Sequence, residues 1–254
     1  MPLLGWILLF AVGDSLGALT LAASVLLLPE AKRTALVPHL LSYATGILLG
    51  ATFLGLLPHA LEGANAEAVL GVTLVGVIVF FFLEKAVLWH HCSESGHTHV
   101  QDDHGTAAAG PLVLIGDAVH ELTDGMVIAV AFAAGMGVGL SAALAVLMHA
   151  IPHKVGDFAI LLESGFDRRR AYLWSAVASL PAAPAAAATY FWLGRMQGAA
   201  PYVMALAAAS FLYIALADLT PSLHRHTSQT VIVSQAILLL LGAGTVAAVH
   251  GLLP

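Results

Sequence analysis

The chain has 254 residues, 59% hydrophobic and only 9% charged, whereas a soluble domain carries about 25% charged residues. A formal net charge of −6 with no basic stripe excludes nucleic acid as a partner, and the lone Cys92 excludes an intramolecular disulfide. What remains is a polytopic membrane protein of one domain, with the lipid bilayer as its solvent.

In chain order, the apolar runs predict eight transmembrane helices, over residues 4–28, 36–57, 67–89, 110–134, 138–163, 171–193, 201–219 and 229–252. Each approaches the roughly 20 residues that a helix needs to cross a bilayer. The first run starts almost at Met1 with no small-residue cleavage site after it, so it reads as a retained span and not a signal peptide. Breaks fall at "PEAKRT", "PHALEGANAE", "ESGFDRRR" and "LTPSLHRHTSQ"; the break between the fourth and fifth helices, "AAGMGVG", is short and apolar.

Eight spans put both termini on one side. Lys32, Arg33, Lys85, Arg168, Arg169, Arg170 and Arg225 all fall on the opposite side, whereas Arg195 falls with the termini and Lys154 lies inside a span. The basic side is expected to be cytoplasmic, which leaves both termini extracytoplasmic. A miscounted span would scatter these residues over both sides. The compact loops suit a plasma membrane, in particular a bacterial inner membrane.

In the fourth helix, "GDAVHELTDG" (116–125) places Asp117, His120, Glu121 and Asp124 on one stripe, at i, i+3, i+4 and i+7. In the fifth, "HAIPHKVGD" (149–157) places His149, His153 and Asp157 at i, i+4 and i+8. His120 and His149 each lie roughly 15 Å inside their helices, so antiparallel neighbours would bring them level near the midplane. Neutral imidazoles with a carboxylate form a favoured ligand set for Zn²⁺ and related ions. Pro152 should also free the carbonyl of Met148, as membrane ion sites often require. Static hydrogen bonding between helices is the competing account, weakened because intramembrane ionisable groups are rare and mostly functional.

These two motifs carry a family resemblance. "HELTDG" resembles the H-N-x-x-D-G motif of the fourth helix of the ZIP divalent-metal transporters, and "HAIPHKVGD" the H-E-x-P-H-E-x-G-D motif of the fifth, in the branch with histidine-rich loops. "FLYIALADLTPSL" (211–223) resembles that branch's seventh helix and "FLGLLPHAL" (53–61), more loosely, its second. The resemblance implies an all-α membrane fold of eight helices, with inverted three-helix repeats around helices 4 and 5. It also implies a midplane site built by that pair, inward movement of Zn²⁺, and an elevator-like motion.

By position, His120, Asp124, His149 and His153 match the family's primary ligands, and Glu121 matches an asparagine used at a second metal position. Ala150 and Lys154 depart from the pattern, standing where the motif has carboxylates. A single-metal site follows, with the Lys154 ammonium near the vacant second position and paired with Glu121; the alternative is a lysine that snorkels to water.

Other polar residues are less specific. His90, His91, His97, His99 and His104, with Cys92 and two aspartates, fall in a cytoplasmic loop of about 90–109, suited to loose metal capture or to a solvated linker. Asp117 and Asp157 occupy the inner halves of their helices as pathway candidates; Asp14 and Asp218 serve either the pathway or helix packing. His59 and Glu62, at the outer end of the second helix, read as ordinary interfacial residues. "SLPAAPAAAATYF" in the sixth helix suits close helix approach. "LLPHAL" and "LTPSL" give a faint echo between the second and seventh helices, in keeping with inverted repeats.

The expected function is transport of a divalent metal, zinc foremost, with no catalytic cofactor; a homodimer is among the assemblies left open. The alternative is an intramembrane zinc-dependent hydrolase, because "HELTD" begins like H-E-x-x-H, although position 124 is aspartate. A metal-sensing membrane protein would suit the histidine loop but leaves the midplane residues unexplained.

Overall fold

The computed structural model describes residues 2–94, 104–195, 198–223 and 229–252, and among these every regular element is helical. Eight rods follow one another: α1 (Leu3–Leu26), α2 (Glu30–Gly63), α3 (Ala66–Glu94), α4 (His104–Ala134), α5 (Met136–Glu163), α6 (Arg168–Leu193), α7 (Ala200–Tyr213, continued by Ile214–Leu219 and Thr220–Leu223) and α8 (Gln229–Leu252). A helix satisfies its backbone groups internally, which is what hydrocarbon demands. All the rods except α4 contain segments long and apolar enough to cross a membrane. The exception carries the buried carboxylates of Asp117, Glu121 and Asp124 at its centre.

The expected loop of about 90–109 is shortened by the helices that flank it: α3 runs on to Glu94 and α4 begins at His104, so His90, His91, Cys92 and His104 are helical. Three further departures concern α2 and α6. First, α2 starts at Glu30, inside the expected "PEAKRT" break, because Pro29 pre-sets the N-cap and Glu30 supplies an acid to the first turn. Second, α2 runs through Pro58 by way of a π-helical turn, Ala51–Leu56, in which the Leu57 N–H reaches back to Thr52. Third, the sixth helix is not continuous: it breaks between Arg168–Ala178 and Ala182–Leu193. Pro181 has no N–H to return to Val177, and the Leu180 N–H takes that carbonyl instead, at 3.1 Å. At the short apolar break between the fourth and fifth helices, α4 and α5 are connected by Gly135 alone, whose φ of 154° is a backbone conformation that side chains rarely permit.

α4 and α5 pack on each other at the centre; α1 and α6 close around them, and α2 also packs on α5. α2 pairs with α8 as α7 pairs with α3, and α5 pairs with α1 as α4 pairs with the second half of α6. Exchanging helices 1–3 with 6–8, and 4 with 5, maps these pairings onto one another. α7 carries its own π-helical turn, Ile214–Leu219, two residues ahead of Pro221, just as the α2 turn ends two residues ahead of Pro58. Lipid tails are as apolar as leucine, so helices associate here through close packing and not hydrophobic exclusion. The buried alanines at 142, 143, 145, 186, 207, 208 and 209 fit that requirement. Large apolar residues of α3 and α8, among them Leu74, Phe82, Leu240 and Leu241, instead point outward, as lipid-facing rods should.

Candidate metal centre

His149 lies thirteen residues from Met136 and fourteen from Glu163, at the middle of α5; His120 is as central in α4. The helices are antiparallel neighbours, so both histidines reach the same depth. The Nε2 atoms of His120 and His149 are 2.8 Å apart, and Asp124 Oδ2 lies 3.6 Å from each. These separations bracket the edge of roughly 3.3 Å expected for a tetrahedron with zinc–ligand arms of about 2.0–2.1 Å. The Nδ1–H of His149 donates to the Ala145 carbonyl at 2.9 Å, which leaves the Nε2 lone pair pointing into the group. Asp124 Oδ1 is buried with no hydrogen-bond partner, and a buried acceptor of that kind is costly unless something positive approaches it. His120, Asp124 and His149 thus form a compact set of potential ligands.

His153 sits beside this set. Its ring stacks on that of His120 at 5.0 Å and 1° interplanar, while its Nδ1 donates to Asp157 Oδ2 at 3.1 Å. Together with Asp117 and Asp157 it forms a second compact group.

Lys154 is buried between α4, α5 and α6. It is 2% exposed, and its ammonium donates to both oxygens of Asp117, at 2.8 and 3.0 Å, and to Ser179 Oγ at 3.1 Å. Glu121 Oε1 lies 2.7 Å from the same nitrogen. The snorkelling alternative therefore has no place here. Glu121 is held from two further helices, accepting from Ser15 of α1 and lying 3.3 Å from Ser179 Oγ. Asp117, expected along a pathway, is also an ion-pair partner of Lys154.

Ser15 and Ser179 were not singled out in the sequence. Ser15 is flanked by Asp14 in "GDS", a polar doublet inside an apolar run that could have marked it. Ser179 carries no local signal: it reaches the lysine because the break at Pro181 turns the chain there. Asp14 is buried, with Oδ2 lacking a hydrogen-bond partner. His59 meets His250 of α8 with ring centroids 5.4 Å apart, a contact between distant segments. His97 and His99 lie outside the described residues, as do the side chains of His90, His91, His104 and Asp218.

On the Gly135 side, the His120–Asp124–His149 group is capped by an apolar cluster that includes Val127, Ile128, Phe132, Val138, Val146 and Phe211. Gly125, next to Asp124, lets α4 approach the break in α6: a Cβ there would stand 2.1 Å from the Ala182 carbonyl oxygen.

Residues 89–250 match the family described as ZIP Zinc transporter. The chain is 35% identical over 201 residues to Zinc transporter ZIP13 of Pongo abelii, covering 73% of this chain and 58% of that protein. It is 32% identical over 235 residues to Zinc transporter ZIP13 of Homo sapiens, covering 73% and 63% respectively. With the Zinc transporter ZIP13 homolog of Drosophila melanogaster the identity is 30% over 268 residues, covering 82% of this chain and 76% of that protein. The chain thus spans less than two thirds of the first two relatives.

Proposed function

Since this chain belongs to the ZIP zinc transporter family, we propose that it is a single-domain carrier that moves a divalent metal ion, zinc foremost, across the membrane into the cytoplasm. The observation that carries this is the convergence of His120, Asp124 and His149 at mid-depth between α4 and α5, with one Asp124 oxygen unpartnered. Imidazole nitrogen and carboxylate oxygen suit zinc, though Fe²⁺, Mn²⁺, Co²⁺ and Cd²⁺ share the same ligand chemistry. His153, stacked on His120, is the natural fourth group.

The centre holds one ion. In the family pattern a second ion would need carboxylates at 150 and 154, and Ala150 and Lys154 stand there instead. The Lys154 ammonium already sits between Asp117 and Glu121 and supplies the positive charge that those two acids require. Glu121 is accordingly a partner of this internal cation and not a ligand of the transported one.

During transport the ion would exchange water for imidazole and carboxylate at the centre. Binding must remain weak enough for release, which protonation of the histidines would assist because they ligate in their neutral form. The abundance of arginine and lysine at the Arg168–Arg170 end makes that end cytoplasmic. His90 and His91 near the end of α3, His104 at the start of α4, and His97 and His99 between them in sequence would then face the exit and capture product. The hydrolase alternative gains nothing from the relatives above, which are named as transporters.

The deciding experiment is uptake into proteoliposomes with a panel of divalent ions, run beside His149→Ala. Saturable zinc uptake that the variant loses supports the assignment; equal uptake by both removes His149 from the transport site.

A further inference from the structure

We infer that Asp117, His153 and Asp157 form a second, weaker station for the transported cation, one helical turn beyond the first toward the Arg168–Arg170 end. This rests on the transport site proposed above and deepens it by naming where the ion goes next.

Asp117 precedes His120 by three residues on α4, and Asp157 follows His153 by four on α5. Because the helices are antiparallel, both steps point the same way, toward the basic end. One ligand atom from each of Asp117, His153 and Asp157 lies within 4.8 Å of the others, the same closeness that defines the first group. Two carboxylates and an imidazole are a suitable ligand set for a divalent ion.

Access differs between the two groups. The side chains of His149, Asp124 and His120 are 1%, 3% and 18% exposed; those of Asp117, Asp157 and His153 are 3%, 13% and 34%, so the contrast lies at His153. Ionisable side chains with accessible surface at this depth belong against a water-filled cavity. On the Gly135 side the neighbouring residues of both helices, among them Val127, Phe132, Val138 and Val146, are buried and apolar. On the side of His153 and Asp157 an ion leaving the first group meets polar ligands.

The second group is built to hold loosely. Asp117 divides its charge between the ion and Lys154, whose ammonium contacts both of its oxygens. That resident cation also repels an arriving one. His153 links the stations, since its ring stacks on His120 while its Nδ1 faces Asp157. One ion at a time can pass along this series, so the sequence of stations is compatible with single occupancy.

The test uses the full chain, purified and reconstituted, with zinc as the probe. Asp157→Asn keeps the shape of the side chain and should lower the maximal uptake rate about tenfold without raising KM, because the first station still loads; Asp157→Glu should recover much of the rate. In Asp124→Asn, calorimetry should still find one zinc site, about ten- to a hundredfold weaker than in the wild type, and Asp124→Asn/Asp157→Asn should lose it. Wild-type uptake by Asp157→Asn, no zinc bound by Asp124→Asn, or a residual site indifferent to Asp157→Asn would each overturn the second station. Failure of the transport site itself looks different, with Asp124→Asn and His149→Ala taking up zinc like the wild type.

Discussion

Lys154 and Asp117 form a buried ion pair across α5 and α4, with the ammonium 2.8 and 3.0 Å from the two carboxylate oxygens and both side chains nearly sealed from solvent. Replacing Lys154 by methionine would strand Asp117 and Glu121 as unpaired buried acids. The expected cost is about 3–5 kcal/mol of stability, the usual penalty for breaking a buried pair from one side. A thermal melt of the detergent-solubilised variant measures it, and an unchanged midpoint would show that the acids find other partners.

On the proposed reading, the same ammonium sets the ion count. Metal analysis of the purified protein should give one tightly held ion per chain. Lys154→Glu would place a third carboxylate beside Asp117 and Glu121 and should raise the count toward two. A wild-type protein that already holds two ions would contradict the role given to Lys154.

His149 and Asp124 should be indispensable for flux. His149→Ala and Asp124→Ala are each expected to abolish most uptake while leaving the protein in the membrane at normal abundance. Either variant accumulating metal like the wild type would remove that residue from the path.

Gly125→Val tests the close approach of α4 and α6. Even the first carbon of a side chain would meet the Ala182 carbonyl at 2.1 Å, so α4 must shift away from the break that holds Ser179. Since Ser179 touches both Lys154 and Glu121, the shift should lower zinc affinity and melting temperature together. A fully active, equally stable variant would mean that α6 yields without disturbing the site.

Replacing His90, His91, His97, His99 and His104 together by alanine should leave substantial flux, with its main effect at low metal concentration if these histidines capture product. Complete loss of transport would instead make this histidine group part of the conduction path.

The eight-rod architecture was legible because an apolar run of bilayer length has few alternatives to a helix. The stripes on α4 and α5 were legible for a related reason: helical periodicity assigns a face before any neighbour is known, and two antiparallel helices joined by a short break must meet at equal depth. The π-helical turns before Pro58 and Pro221 were not. A proline in an apolar run can be accommodated by a break, a kink or a bulge, and surrounding packing chooses among them. The same ambiguity hid the interruption of α6 at Pro181.

Residue order alone determined the membrane-spanning class, the number of rods, the side that carries the basic residues, and the presence of imidazoles and acids on two facing stripes. These follow from local periodicity and from the cost of putting charge in hydrocarbon. Only the tertiary structure decided how those groups divide: His120, Asp124 and His149 into one set; Asp117, His153 and Asp157 into another; and Lys154 locked between Asp117, Glu121 and Ser179. Sequence spacing gives each side chain an azimuth on its own helix, whereas partnership depends on how far helices from distant parts of the chain approach and turn. That is set by small residues and a proline break far from the site.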